Sequence, residues 1–191
     1  TVTAVPPCTG NATAQVSVTA TGAPSIELET DLGGPGNDNA RTILPTTDGG
    51  YIVAGTTSAN SGDVSGFHGL AGTTDIWVVK LGQNLDTLWT RCLGGTENET
   101  LLSLLLAPGP DGGYFVAGTT SSNDGDVVGN HGGKDIWVLK LDAGGSIVWR
   151  NCLGGMNDDE SFSDPRLSRV TLDGGYILLA YTNSSDGGIP E

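Results

Sequence analysis

Two stretches of this chain are almost copies: DGGYIVAGTTSANSGDVSGFHG starts at Asp48 and DGGYFVAGTTSSNDGDVVGNHG at Asp111, and DGGYILLAYTNSSDGG opens at Asp173. A period of this length constrains the fold more than any local propensity, because each copy must build the same small unit and bury its apolar faces on its neighbours. Other markers keep the same step. LGG falls at Leu32, Leu93 and Leu153, 61 and then 60 residues apart, TDIWVVKL from Thr74 answers KDIWVLKL from Lys134, and LWTRCLGG from Leu88 answers VWRNCLGG from Val148. Two units are whole and a third is partial.

Within a unit the spacing predicts four short strands divided by Gly, Asn and Asp turns. In the second unit they run over Glu99–Leu106, Tyr114–Thr120, Asp135–Leu141 and residues 146–152. DIWVLKL alternates, with Trp137, Leu139 and Leu141 on one face and Ile136, Val138 and Lys140 on the other, the period of a strand. ETLLSLLLAPG is leucine-rich and suits a helix by propensity, but its place in the repeat and the PGPDGG that follows favour a strand. With 31 Gly, 37% hydrophobic and 16% charged residues, the composition fits a turn-rich β protein.

Twenty-two acidic residues against 8 basic ones give a net charge of -14. That charge repels phosphate backbones and anionic bilayer surfaces, so nucleic acid is not expected as a partner. It suits a soluble protein outside cells, or one that collects hard cations. No apolar run approaches the roughly 20 residues of a spanning helix, so membrane insertion is not expected. TVTAVPPC lacks the basic start and apolar middle of a signal peptide and is expected to be a mature N-terminus.

The pattern DGGY-hydrophobic-AGTTS…GDVxGxHGGxDxWVxKLD…W…LGG, carried from Leu32 to Ser185, resembles the β-propeller repeats of large secreted, Bacteroidetes-like bacterial surface proteins. The resemblance implies an all-β fold of four-stranded antiparallel, propeller-like blades in an extracellular or cell-surface protein, and it names no ligand. A unit of about 60 residues is slightly longer than the usual blade of roughly 40 to 50.

The partial unit supplies only the first two strands of a blade. The other two are expected at the opposite end: a shift of 121 positions lays residues 14–34 on residues 135–155 without a gap, matching Ser25, Ile26, Leu32, Gly33 and Gly34 and putting Val16, Val18 and Ala20 where Trp137, Leu139 and Leu141 stand. The expected organisation is three blade-equivalents: 1–13 an N-terminal extension, 14–34 the second half of a split blade, 35–92 and 93–152 two whole blades, and 153–191 the first half of the split blade. A half-blade exposes an unpaired strand edge. Candidate assembly residues are Val16, Val18, Ile26 and Leu28 on one side and Tyr176, Ile177, Leu178 and Leu179 on the other. Joining within one chain would give three blades, below the roughly four to eight of propellers. Exchange between two chains would close a six-bladed ring, and exchange that does not close would run head to tail into a fibre.

Cys92 and Cys152 share one repeat position, and equivalent atoms of adjacent blades lie beyond the roughly 7 Å Cα separation a disulfide allows. Cys8, left over from an odd count of three, is expected to bridge to Cys92 or Cys152 of a neighbour, with free buried thiols as the alternative. Asn60, Asp63, Asn123, Asp124 and Asp126 sit in Gly-rich loops as candidate calcium ligands, or as turn formers that bond their own backbone. His68 and His131 repeat once per unit, which argues against catalysis and for a loop-fixing role. Trp77, Trp137, Trp89 and Trp149 are expected in inter-blade core. NDDE at 157–160 reads as solvated acids in a turn, not a glycosidase pair. Asn11, Asn98 and Asn183 fit the N-glycosylation tripeptide, while the bacterial resemblance implies an O-glycan at Thr87 in DTL. The expected function is a self-assembling extracellular structural protein, the alternative a secreted module that binds a glycan or protein. No enzymatic constellation is expected.

Overall fold

In the computed structural model, residues 14–19, 26–107, 112–160 and 168–185 are described, with side chains from residue 28 onward. The described residues form strands and turns with no helix. A hairpin of β1 (Ala14–Thr19) and β2 (Ile26–Leu32) comes first. It is followed by a four-stranded sheet of β3 (Asp38–Pro45), β4 (Tyr51–Thr57), β5 (Asp75–Leu81) and β6 (Thr87–Leu93), then by a second of β7 (Glu99–Leu106), β8 (Tyr114–Thr120), β9 (Asp135–Leu141) and β10 (Ile147–Leu153). Last come β11 (Asp159–Glu160), β12 (Ser168–Val170), β13 (Tyr176–Leu178) and β14 (Tyr181–Thr182), with β12 on β13 and β11 on β14.

Both whole sheets are antiparallel meanders in sequence order, so the all-β expectation holds, and the leucine-rich stretch is the strand β7. The repeat extends to irregularities. Each sheet carries a bulge in its first strand, between Ala40 and Thr42 and between Leu101 and Ser103, and another shift where its last two strands begin to pair. Bulges increase local twist. Gly118, on β8 beside the bulge, takes no larger residue: a Cβ would lie 2.3 Å from the Thr100 carbonyl oxygen and 2.6 Å from Ile76 Cδ1 of the preceding sheet.

β5 and β9 are buried on both faces, because the sheets stack. Ile52, Ala54, Ile76 and Val78 of the first sheet share one cluster with Val116, Trp137, Leu139 and Leu141 of the second. Ile136 and Val138, on the opposite face of β9, pack with Tyr176 and Leu178. Leu32 of the N-terminal hairpin joins Val53, Trp77 and Val79 on the other side of the first sheet. The order of layers is therefore hairpin, first sheet, second sheet, C-terminal half-sheet. Between the two whole sheets the Ile/Val face of the first meets the Trp/Leu face of the second, and the two faces of DIWVLKL separate as the alternation predicts.

Two expectations need correction. The gapless shift would pair the hairpin as β9 and β10 pair, but Ala14 lies opposite Leu32 and Val18 opposite Leu28, whereas Ile136 lies opposite Leu153 and Leu139 opposite Arg150. The hairpin is thus one residue out of step with the whole sheets, and Val16 and Val18 take the register positions of Val138 and Lys140. A one-residue slip exchanges faces along a strand. Second, the four tryptophans do not share one environment: Trp77 and Trp137 are buried and Trp89 half-buried, but Trp149 is 38% exposed.

Candidate assembly interface

The contacts between layers repeat as closely as the sequence does. Six residues after each LGG leucine stands an acid: Asp38, Glu99 and Asp159. One oxygen of each accepts a threonine hydroxyl, from Thr57 at 2.5 Å, Thr120 at 2.6 Å and Thr182. The other accepts the backbone N–H of Gly34, Gly95 or Gly155 at 2.7 to 2.9 Å. Each threonine oxygen in turn accepts an N–H, from Ala59, Ser122 or Ser184. Donor and acceptor capacity of the hydroxyl are both used, which makes the clasp a satisfied unit. Backbone bonds then tie one layer to the next: Glu99 N–H donates to the Thr74 carbonyl at 2.7 Å, and Asp159 N–H to the Lys134 carbonyl at 2.6 Å.

Glu99 and Asp75 are fully buried near this seam. Burial pushes both carboxyls up, and the charge of Asp75 adds to the rise at Glu99. His68 spans the same seam, donating its N–H to Asp75 Oδ2 at 2.9 Å, with Nδ1 3.0 Å from that oxygen and Nε2 3.8 Å from Asp126 of the next unit. His131 repeats the arrangement on Asp135. The histidines fix their loops, as their repetition implies.

At the interface between the two whole sheets, Trp89 of β6 lies under the turn joining β9 to β10. Its Nε1 donates to the Ala143 carbonyl at 3.2 Å, its ring lies edge-on to Tyr114 at 5.9 Å, and Arg91 Nη2 donates to the Gly144 carbonyl at 3.4 Å. A Cβ on Gly145 would come within 3.0 Å of the Trp89 ring, and φ is +81° there, so glycine is required twice over.

One layer on, the positions of Trp89 and Arg91 are exposed, at Trp149 and Asn151. Trp149, Asn151 and Tyr176 stand where Trp89, Arg91 and Tyr114 stand in the preceding layer, and with Phe115, Val138 and Lys140 they border a groove of about 700 Å³. The half-sheet of β12 and β13 covers part of the forward face of the second sheet, with Tyr176 stacked on Phe115 at 5.3 Å. Among the described residues no further strand pairs with β13 beside β12, and the glycines of the β12–β13 turn, Gly174 and Gly175, share the groove wall with Trp149.

The structure divides the candidate assembly residues. Tyr176 and Leu178 face back into the inter-layer core, while Ile177 and Leu179 are exposed, Ile177 at 59%. Leu28 is 41% exposed; the side chains of Val16, Val18 and Ile26 lie outside the described residues. Cys92 and Cys152 are buried free thiols in different layers, and burial pushes each up to about 12. Cys8 and Asn11 lie outside the described residues. Loop bonds occupy the candidate calcium ligands: Asn60 accepts Phe67 N–H, Asp63 accepts Gly33 N–H, Asn123 accepts Gly129 N–H and Asp124 accepts Thr96 N–H, while Asp126 lies beside His68 and Arg150. No group of three or more metal-ligating side chains gathers among the described residues. Of NDDE at 157–160, Asp159 is a buried clasp acid and Glu160 pairs with Lys134 at 2.8 Å. Thr87, Asn98 and Asn183 are exposed.

Sequence reasoning missed the clasp acids, although the constant step of six from each LGG marks them. No protein-family model matches this chain, and no curated protein matches it.

Proposed function

We propose that this is an extracellular or cell-surface structural protein whose layers are propeller-like blades, and that copies join head to tail, each supplying half of a split blade. One observation carries this proposal. Two half-sheets lie at opposite ends of the stack, a β1–β2 hairpin against the first sheet and a β12–β13 hairpin against the second, and they do not pair with each other among the described residues. The first has the sequence of strands three and four of a unit, the second that of strands one and two. Edge strands with free backbone groups pair readily, and main-chain bonds with alternating side-chain pockets make such pairing tight. Forward face meets rear face between the whole sheets and at the half-sheet, and a contact of this head-to-tail kind is heterologous, running on into a fibre where the rotation does not close.

Light scattering of the purified chain over a range of concentrations tests this. Mass that rises without limit supports an open fibre, and a fixed mass of two chains supports a closed six-unit ring. A single-chain mass at every concentration overturns self-association.

A further inference from the structure

Independently of self-association, we infer that a small polar groove crossing the layers binds a carboxylate-bearing polyol the size of one acidic sugar, with Arg41 as the group that receives the carboxylate. The groove holds about 250 Å³ and is bordered by residues of the first sheet, the second sheet and β11. In a chain whose units otherwise copy one another, a site that acts once must be built from positions where the copies differ. The three charged residues on this groove occupy such positions. Arg41 stands where the second unit has Leu102, Lys134 where the first has Thr74, and Glu160 where the two whole units have Asn39 and Thr100. These departures are far apart in sequence, yet they border one groove.

The backbone aims Arg41. The β3 bulge pairs Ala40 with Gly55 and Thr42 with Ala54, so Arg41 is its extra residue, and a bulge re-aims the side chain it carries. Arg41 Nη1 donates to the Leu101 carbonyl at 2.7 Å, which holds the guanidinium against the second sheet. Among the described residues no carboxylate forms an ion pair with it. A guanidinium carries five N–H donors in a planar fork, so one anchoring bond leaves enough for a bidentate grip on a carboxylate. In a chain with 8 basic residues and a net charge of -14, a guanidinium placed this way is the exception.

The rest of the lining suits hydroxyls. Lys134 Nζ lies 2.8 Å from Glu160 Oε1, and Tyr181 donates to Glu160 Oε2, so this acid is balanced and the groove keeps the single positive charge of Arg41. Thr100 and Thr119 place their hydroxyls 2.6 Å apart, and Asn98 and Ser121 add an amide and a third hydroxyl. A sugar acid uses both parts of this set, its carboxylate on Arg41 and its hydroxyls on the neutral lining. A neutral sugar gains no charge-assisted bond from Arg41.

Ligand-observed saturation-transfer NMR on the full-length chain tests this at any assembly size, with glucuronate as the probe and glucose as its neutral counterpart. Glucuronate should bind wild type at least about tenfold more tightly than glucose, the worth of a hydrogen-bonded charge. Arg41→Leu restores the residue that the second unit carries at this position and should weaken glucuronate by about tenfold or more, with circular dichroism unchanged. Lys134→Thr, likewise borrowed from the other unit, should weaken it in the same sense because Glu160 would lose its balancing charge; this variant decides the matter if Arg41→Leu loses its fold. Glucuronate that binds wild type no better than glucose overturns the proposal. Wild-type affinity in a folded Arg41→Leu chain overturns it too.

Discussion

Glu99 shows what one residue does in this architecture. Its carboxylate closes a clasp, accepting Thr120 and Gly95, yet it is fully buried and shares the seam with Asp75. Because burial raises its pKa, its contribution is complete below the unfolded value near about 4.3 and is lost as pH rises through the higher native value. Urea unfolding should therefore show the Glu99 contribution falling as pH rises above that unfolded value, and Glu99→Gln should remove that dependence. Asp48 does not confuse this window: the Lys80 ammonium at 2.8 Å holds its carboxyl well below the usual range, so its contribution fades only in stronger acid. Thr120→Val strips the hydroxyl from the same clasp and leaves the Ser122 N–H and a Glu99 oxygen unmatched, a loss of about 1–3 kcal/mol measurable in the same titration. Cys92 and Cys152, pushed up to about 12 by burial, should stay silent to a thiol reagent until the layers separate. The loop-fixing role of the histidines followed from recurrence in the sequence, whereas Trp149 departs from the shared core expected of the four tryptophans and Cys92 and Cys152 are free buried thiols, the alternative to the expected bridge. The clasp acids were hidden because Asp and Glu alternate at the position and look like ordinary turn residues.

Among the elements, the strands of both whole sheets were legible because alternation, turn residues and the repeat agree, and the repeat outvoted helix propensity in β7. That residues 14–34 hold a pair of antiparallel strands was legible too, but their register was not. A gapless shift carries no information about where pairing begins beyond a turn, and the hairpin pairs one residue away from its counterparts. The half-exposed Trp149 also escaped the pattern, since its surroundings come from the following layer rather than from its own strand. At the edge of the C-terminal half-sheet, Ile177 is exposed and occupies the place of Phe115. Ile177→Lys should leave the unfolding midpoint within the small range of surface changes, about 0.5 kcal/mol. It should nonetheless weaken self-association sharply in sedimentation or scattering, because the charge would enter the junction desolvated.

At the scale of the whole molecule, the acidic excess opposes any meeting of two copies. With a net charge of -14, repulsion between subunits is long-ranged in dilute buffer and screened within about 10 Å at 0.1 M salt. Raising salt from about 0.01 M to about 0.2 M should shift scattering toward larger species, and association that instead weakens would mean that ion pairs hold the junction. The stacking order was readable from sequence, whereas the angle between layers, which separates ring from fibre, is not encoded in any motif. One property of the stack reaches furthest. Because each whole sheet offers its Ile/Val side forward and its Trp/Leu side behind, an array of such subunits would carry an arrow along its length: its two tips would be chemically different, growth at one could be halted while the other stayed active, and a single subunit damaged at one end would act as a terminator.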